Sequence, residues 1–211
     1  MRRSVILIAA VIICTAASAQ KITEKQLSFS GKDAVVLNIG IADSIGIQTW
    51  NKNEVSVKAS VNINDNKDND AYEISFGEKD KSVIIKADFK KDYFRGKDNC
   101  CNSSDIKWVV FLPENAPFSV ETINANITIN GKTDGMNVRT ISGFIDLADS
   151  PVKKADLDLS TITGSIYTNY DLDLSDGHSD HTSGIKSKLN NGGALIKLAT
   201  ISGDIFFRKE E

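Results

Sequence analysis

The sequence predicts an all-β protein, and three observations support that prediction. Apolar and polar residues alternate with a period of two along many short segments, most cleanly from Val55 to Ile63. Turn-forming Gly, Asn, Asp and Ser residues separate these segments, and no stretch of ten or more residues keeps a helical period. In the second half a short motif returns about every 20 residues, which is typical of stacked repeats. We therefore expect a β-solenoid with coils of about 20 residues, and a β-sandwich is the alternative.

The repeated motif has the form Ile-Ser/Thr-Gly-x-Ile. The clear copies are Ile141–Leu147, Ile162–Tyr167 and Ile201–Phe206, the copy Thr182–Lys186 is weaker, and Ile123–Ile129 is degenerate with Ala125 in place of glycine. The four motif glycines, 21, 20 and 19 residues apart, are Gly143, Gly164, Gly184 and Gly203. We expect each glycine to allow a tight turn or a close backbone approach. The isoleucines should form an inward ladder, and the neighbouring Ser and Thr should form hydrogen-bonded columns between coils.

Residues 1–19 have the three parts of a secretory signal peptide. Arg2 and Arg3 are followed by the uncharged apolar run Val5–Ile13 and then by the small-residue pattern Ala17–Ala19, which predicts cleavage before Gln20. The apolar run is shorter than the roughly 20 residues that cross a bilayer, so a signal peptide is favoured over a membrane anchor. The sequence therefore predicts export to the periplasm, the cell surface or the medium.

The rest of the chain is predicted to form one domain in two parts. Residues 20–118 are an N-terminal β region that supplies the first coils and a cap, and 119–211 are the C-terminal repeat region of the same solenoid. Removing Arg2 and Arg3 with the leader takes the net charge from −3 to about −5, which disfavours nucleic acid as a partner. No second apolar run follows, so we expect no transmembrane segment after cleavage.

Two adjacent cysteines, Cys100 and Cys101, lie in the polar stretch 96–104. A disulfide is chemically plausible in the oxidising envelope. Neighbouring Cα atoms are only about 3.8 Å apart, however, so a bond between these two would close a strained ring. The alternatives are a vicinal disulfide, two free thiols, or a bridge to another chain, and a structural role in the loop is favoured.

The only histidines, His178 and His181, stand near Asp176 and Asp180. Such a group could bind zinc, but Gly177 makes a simple turn the favoured interpretation. We therefore predict no metal site here.

Other carboxylate-rich segments give equally weak signals. Residues 62–70 offer many oxygens to calcium, yet they lack the glycine and terminal glutamate of a calcium loop. Aspartates also recur at predicted outward positions of the repeat region, namely Asp146, Asp156, Asp158, Asp171 and Asp173. Soluble strands need such residues, so we predict no catalytic residue and no cofactor.

The repeats resemble a known family. The Ile-Ser-Gly-x-Ile-x-Leu recurrences, the final Ala199–Ile205 and the opening stretch Ser44–Val57 are similar to the exported putative-adhesin family of β-strand repeats, a bacterial domain of unknown function. The resemblance covers most of 34–207. It implies a single-stranded β-helix at the cell envelope or surface, and it implies no catalytic residues.

Three functional hypotheses follow. The first is a non-catalytic, adhesin-like binding or structural module that presents a β surface to a glycan or protein of the cell envelope, with Phe144, Tyr167 and Phe207 on outward faces. The second is an envelope scaffold or regulatory partner of a membrane protein. The third and least favoured is a carbohydrate-acting enzyme, because the chain shows no coherent pair of carboxylates.

Overall fold

The described chain is nearly all β-strand. A computed structural model describes residues 20–94, 103–114, 116–150, 153–172 and 183–210, and every structural statement below concerns these ranges. They contain fifteen strands, one 3₁₀ turn at Asn69–Ala71 and no α-helix, so the all-β prediction is confirmed. The strands are β1 (Lys21–Ser28), β2 (Ala34–Ile39), β3 (Ile41–Trp50), β4 (Glu54–Ile63), β5 (Tyr72–Lys79), β6 (Ser82–Phe89), β7 (Ser104–Pro113), β8 (Phe118–Asn130), β9 (Met136–Ser142), β10 (Ile145–Asp149), β11 (Ala155–Thr161), β12 (Ile166–Thr168), β13 (Ser183–Leu189), β14 (Ala194–Thr200) and β15 (Ile205–Lys209).

All fifteen strands belong to one open sheet that divides into two wings. The first wing contains, in spatial order, β5, β6, β2, the start of β8, β9, β14, β11 and β13. The second wing contains β1, β4, β7, β3, the end of β8, β10, β15 and β12. The buried apolar residues of both wings form a single core cluster, which is the arrangement that the sandwich alternative describes.

Five segments pass from the first wing to the second through a bend. They are β2–β3, β8, β9–β10, β14–β15 and β11–β12, and each runs parallel to its neighbours. The long strand β8 shows the bend within one element, because Phe118–Glu121 pairs with β2 whereas Asn126–Asn130 pairs with β3. Four of the five bends carry a copy of the repeated sequence motif, the exception being the β2–β3 bend, so these copies mark the line where the two wings join.

The bends do not stack in chain order. The segment β14–β15 comes last in the chain, yet it lies between β9–β10 and β11–β12. Antiparallel strands extend the stack, with β5, β4 and β1 at one end and β13 at the other. A solenoid of successive coils is therefore not established by the pairing, and the residues of 20–118 and 119–211 share the same sheet.

The repeat positions coincide in space. The second isoleucine of each motif copy that lies at a bend shares one register across the second wing with Ile45 of β3 and Trp108 of β7, in a row that we call the inner ladder. Its members are Trp108, Ile45, Ile127, Ile145, Ile205 and Ile166. All but Ile166 are at most 1% exposed. Burying one such side chain contributes about 1.5–3 kcal/mol, so the ladder is a main source of the stability of the stack.

Glycine at the bend is predicted to be indispensable. At Gly143 the backbone has a φ of +112°, and an added Cβ would lie 2.2 Å from the carbonyl oxygen of Ala125. We expect Gly143→Ala to lower the free energy of unfolding by more than about 3 kcal/mol in urea denaturation, because both backbone strain and overlap oppose it.

The matched control is Gly77→Ala in β5, where an added Cβ would meet no atom within 4 Å. It should change the stability by less than about 1 kcal/mol. Equal effects of the two substitutions would contradict the close approach at the bend.

Candidate functional site

Buried threonines hold neighbouring bends together. Each clear copy of the motif is preceded by a threonine that points into the core. The Thr161 hydroxyl donates to the carbonyl oxygen of Gly203 at 2.9 Å, and the Thr200 hydroxyl donates to that of Gly143 at 3.2 Å. In the degenerate copy, Thr122 donates in the same way to Gly40 at 3.2 Å. A buried hydroxyl requires such a partner, so this column fixes the spacing of the bends.

The motif glycines form a second column beside the threonines. An added Cβ at Gly203 would lie 2.1 Å from the Gly143 carbonyl oxygen, and one at Gly164 would lie 1.8 Å from the Gly203 carbonyl oxygen. Each glycine therefore lies directly against the backbone of the next bend. The sequence of contacts, Ala125 to Gly143 to Gly203 to Gly164, follows the spatial order of the segments and not their chain order.

The first isoleucine of each motif copy points away from the core. Ile123, Ile141 and Ile162 are 51%, 43% and 55% exposed, and Ile201 is half-buried. We call these four residues the isoleucine stripe. Along a continuous strand residues four apart lie on one face, so the contrast with the inner ladder shows that the bend interrupts the alternation. In β8 the interruption is visible at Ile123 and Asn124, which are both exposed. These isoleucines therefore bury much less apolar surface in the core than the residues of the inner ladder do.

The stripe is continuous along the surface. Ile123 lies opposite Ile141, since their flanking residues pair in register. The Ser202 amide donates to the Ile141 carbonyl at 2.9 Å, and the Thr163 amide donates to the Ile201 carbonyl at 2.9 Å, which places Ile201 between Ile141 and Ile162. At a strand spacing of about 4.8 Å the four residues span about 14 Å. An exposed apolar patch of this kind indicates an interaction surface.

A groove of about 680 Å³ opens at one end of the stripe, on the outer face of the first wing. Ile123 and Ile141 form its apolar side, together with Phe89 at the end of β6. Its polar side carries charged residues from β5, β6, the turn after β6, β8 and β9. They are Glu73, Lys86, Asp88, Lys90, Lys91, Glu121 and Arg139. The stripe and the groove therefore form one surface, which we call the stripe–groove surface.

Several charges of the groove have no ion-pair partner in the described chain. Arg139 and Glu121 lie opposite each other on β9 and β8 but form no salt bridge, and Lys86 forms none either. By contrast, Arg208, the only other arginine in the described ranges, forms a two-point pair with Asp146 at 2.7 and 2.9 Å. A free guanidinium beside apolar side chains can bind a carboxylate through two hydrogen bonds.

A buried polar cluster stabilises the ends of β10. The Asp149 carboxylate is 1% exposed, lies 3.2 Å from the Lys153 ammonium and accepts a hydrogen bond from Thr133 at 2.5 Å. The carbonyl oxygens of Asp149 and Ser150, both 2.9 Å from the Tyr170 hydroxyl, share the single proton that it donates. Burial, aided by the nearby Asp149 and Glu210 charges, raises the pKa of Tyr170 to about 12. The cluster is satisfied internally, so we assign it to structure.

The four motif glycines do not occupy equivalent places in the fold. Gly143, Gly164 and Gly203 lie at bends, whereas Gly184 lies within β13, opposite Ser160 of the antiparallel strand β11. The cysteine pair Cys100 and Cys101, and the group Asp176, His178, Asp180 and His181, lie outside the described residues. The described ranges contain no group of three or more His, Cys, Asp or Glu side chains that could hold a metal ion.

The predicted outward carboxylates are dispersed. Asp146 pairs with Arg208, and Asp158 lies 3.7 Å from Lys197 in the first wing. In residues 62–70 the Asn69 carboxamide accepts the Ile63 amide at 2.8 Å, and Asp68 accepts from Asn64 and Tyr93 at 2.6 and 3.0 Å. These oxygens therefore accept hydrogen bonds that stabilise the turn. Asp173 lies outside the described residues.

One outward assignment was wrong. Phe207 is fully buried in the inner face of β15, where it stacks on Tyr170 with ring centroids 4.6 Å apart. Its neighbour Phe206 faces outward instead and stacks on Tyr167. A shift of one residue exchanges the two faces of a strand, and the run of two phenylalanines gave no pattern to set the register.

The sequence did not predict the stripe–groove surface, because both isoleucines of the motif were expected to face the core.

Comparison with known proteins gives a likeness in fold. No family model and no curated protein matches the chain. Among solved structures, a putative cell adhesion protein from Clostridium sporogenes is similar over 91% of this chain and 100% of that one, at 11% identity and a TM-score of 0.57. A putative adhesin from Parabacteroides merdae covers 70% of this chain and 64% of that one, at 14% identity and a TM-score of 0.31. The likeness to the Clostridium protein shows a shared fold, and the resemblance to the adhesin family stays a prediction.

The raised pKa of Tyr170 predicts a loss of stability in alkali. An unfolded tyrosine ionises near pH 10, whereas the folded one keeps its proton to about pH 12, so the free energy of unfolding should fall between these values. We expect Tyr170→Phe to reduce that fall in urea titrations at pH 9 to 12. Tyr167→Phe, at an exposed position, should leave the pH dependence of the wild type unchanged. An identical slope in all three proteins would contradict the assignment.

Proposed function

We propose that this protein is a non-catalytic binding module of the cell envelope, and that it holds a protein partner on the stripe–groove surface. The isoleucine stripe is the observation that carries this proposal. Its four members occupy equivalent positions of the repeat and form a continuous row, yet three of them are about half exposed. A row of exposed isoleucines lowers solubility, and contact with a partner would cover it.

The charges of the groove favour a protein over other partners. Three charged side chains that form no ion pair within the described residues lie in one row along the side of the apolar stripe. Arg139 is on the strand next to Glu121, and Lys86 is two strands away on the other side, beyond Asn38. A polypeptide with apolar residues and charges of both signs complements such a surface. The carboxylates Glu73, Asp88 and Glu121 would repel a nucleic acid or an anionic membrane that approached the cations of the groove.

The proposal includes export and a short repeat architecture. The signal-peptide pattern of residues 1–19 supports a location in the periplasm or at the cell surface. The five parallel bends share registers at equivalent motif positions, which supports a short β-helical stack, reordered and flanked by antiparallel strands. Scaffolding of a membrane protein remains the second candidate, because a protein partner in the envelope would serve either role.

Substitution within the stripe should abolish partner binding. We expect the double variant Ile141→Ser/Ile201→Ser to bind envelope membranes of the producing bacterium at least about tenfold more weakly than the wild type, because apolar anchors dominate such interfaces. The measurement is a saturation titration of the labelled, exported protein. Leu195→Ser is the matched control, since Leu195 is 52% exposed on the same wing but lies outside the stripe.

Protease treatment of the membranes identifies the class of partner. Loss of saturable binding after treatment, together with weak binding by the double variant and normal binding by the control, supports the proposal. Binding that survives protease and is still weakened by the double variant would point to a glycan or lipid on the stripe and overturn the protein partner. Equal binding by the double variant and the wild type would remove the stripe from the interface.

A further inference from the structure

The outer face of the second wing differs in chemistry from that of the first. Two aromatic clusters lie on it, on opposite sides of β8. Toward β12, Tyr167 stacks on Phe206 with centroids 5.1 Å apart and planes inclined by 12°, and Phe144 meets Phe206 edge-on at 6.2 Å. On β3 and β7, Trp50 stacks on Phe111 at 5.0 Å.

Short uncharged polar side chains lie between the two aromatic clusters. Gln48 and Asn130 are exposed and lie opposite each other on β3 and β8, and the half-buried Thr128 lies beside Gly46. Asn126 is also exposed on β8. Amide and hydroxyl groups both donate and accept hydrogen bonds, so this region can match hydroxyl groups in either role.

Two of the charges near Tyr167 and Phe206 neutralise each other, and the Asp204 carboxylate accepts a hydrogen bond from the Ser165 amide at 2.8 Å. Asp146 lies opposite Phe206 in register, and its two carboxylate oxygens accept hydrogen bonds from Arg208 at 2.7 and 2.9 Å. The pair offers no net charge but holds both polar groups in fixed positions. A neutral ligand therefore suits this face better than an anionic or cationic one, in contrast to the stripe–groove surface.

Tyr167 has one ring face available for a ligand. It lies on β12, whose only strand partner in the described chain is β15, and its ring is stacked on Phe206 on that side. Tyr167 is 51% exposed, so ordering it against a ligand would bury a large, rigid apolar surface. Pyranose rings present an apolar face of C–H bonds that packs on aromatic rings, while their hydroxyl groups bind neighbouring amides and carboxylates.

We propose that the outer face of the second wing binds a neutral oligosaccharide. One pyranose packs on the free face of Tyr167. The oligosaccharide then crosses the outer edges of the Tyr167 and Phe206 rings, passes the Asp146–Arg208 pair and continues across β10 and β8 toward Thr128, Asn130 and Gln48. This site is separate from the stripe–groove surface, which lies on the other wing. The protein would then hold a protein partner and a glycan at the same time.

Titration with neutral oligosaccharides tests the proposal. The probes are cellohexaose, chitohexaose, maltohexaose and mannohexaose, each added to the full exported protein, and binding is followed by calorimetry and by NMR shifts of the sugar. We expect at least one probe to bind with a Kd of about 1 mM or tighter. Tyr167→Ser should weaken that binding at least about tenfold, whereas Tyr167→Phe should retain it because the ring remains.

Two controls keep this proposal separate from the protein-binding function. The Ile141→Ser/Ile201→Ser variant should bind the oligosaccharide normally, and Tyr167→Ser should bind envelope membranes normally. Thermal unfolding of each variant checks that the fold is intact. No binding of any probe at about 1 mM, or equal binding by Tyr167→Ser and the wild type, would overturn the proposal.

Discussion

The close approach of backbones at the bends is the constraint on which the rest of the structure depends. Five segments must turn from one wing to the other at the same height, with each turn directly beside the next. A side chain at Gly143, Gly203 or Gly164 would overlap a neighbouring carbonyl group. Three buried threonines then complete the arrangement, because Thr122, Thr161 and Thr200 each donate a hydrogen bond to the neighbouring bend.

This constraint determines where the apolar residues of the repeat go. Because the chain bends at glycine, the isoleucine after the bend enters the core of the second wing, and the isoleucine before it stays outside on the first. Four of the five bends therefore supply both the interior and the apolar row on the surface, whereas Ile39 before the β2–β3 bend is buried. The outer faces of the two wings therefore differ. The first wing combines this row with charges that form no ion pair in the described chain, whereas the second carries aromatic rings and neutral polar groups.

The sequence predicted the strands and the equivalence of the motif copies, but not their arrangement. Alternation and turn residues sufficed for an all-β fold, and Ile127, Ile145, Ile205 and Ile166 share one register. The spatial order of the bends was not predictable, because copies with the same residues can pair with one another equally well. Gly184 belongs to a copy of the same motif but lies in an antiparallel strand. That pairing depends on contacts between residues far apart in the sequence.

The most direct test of this account is a disulfide cross-link between bends, in a protein whose Cys100 and Cys101 are replaced by Ser. Ser142 pairs with Ser202 in the structure, so Ser142→Cys/Ser202→Cys should oxidise readily, since neighbouring strands are about 4.8 Å apart and disulfides span Cα distances up to about 6.8 Å. Ser142→Cys/Thr163→Cys should not cross-link, because β14–β15 lies between these bends. Efficient cross-linking of the second pair and not the first would show that the bends stack in chain order and would contradict the account.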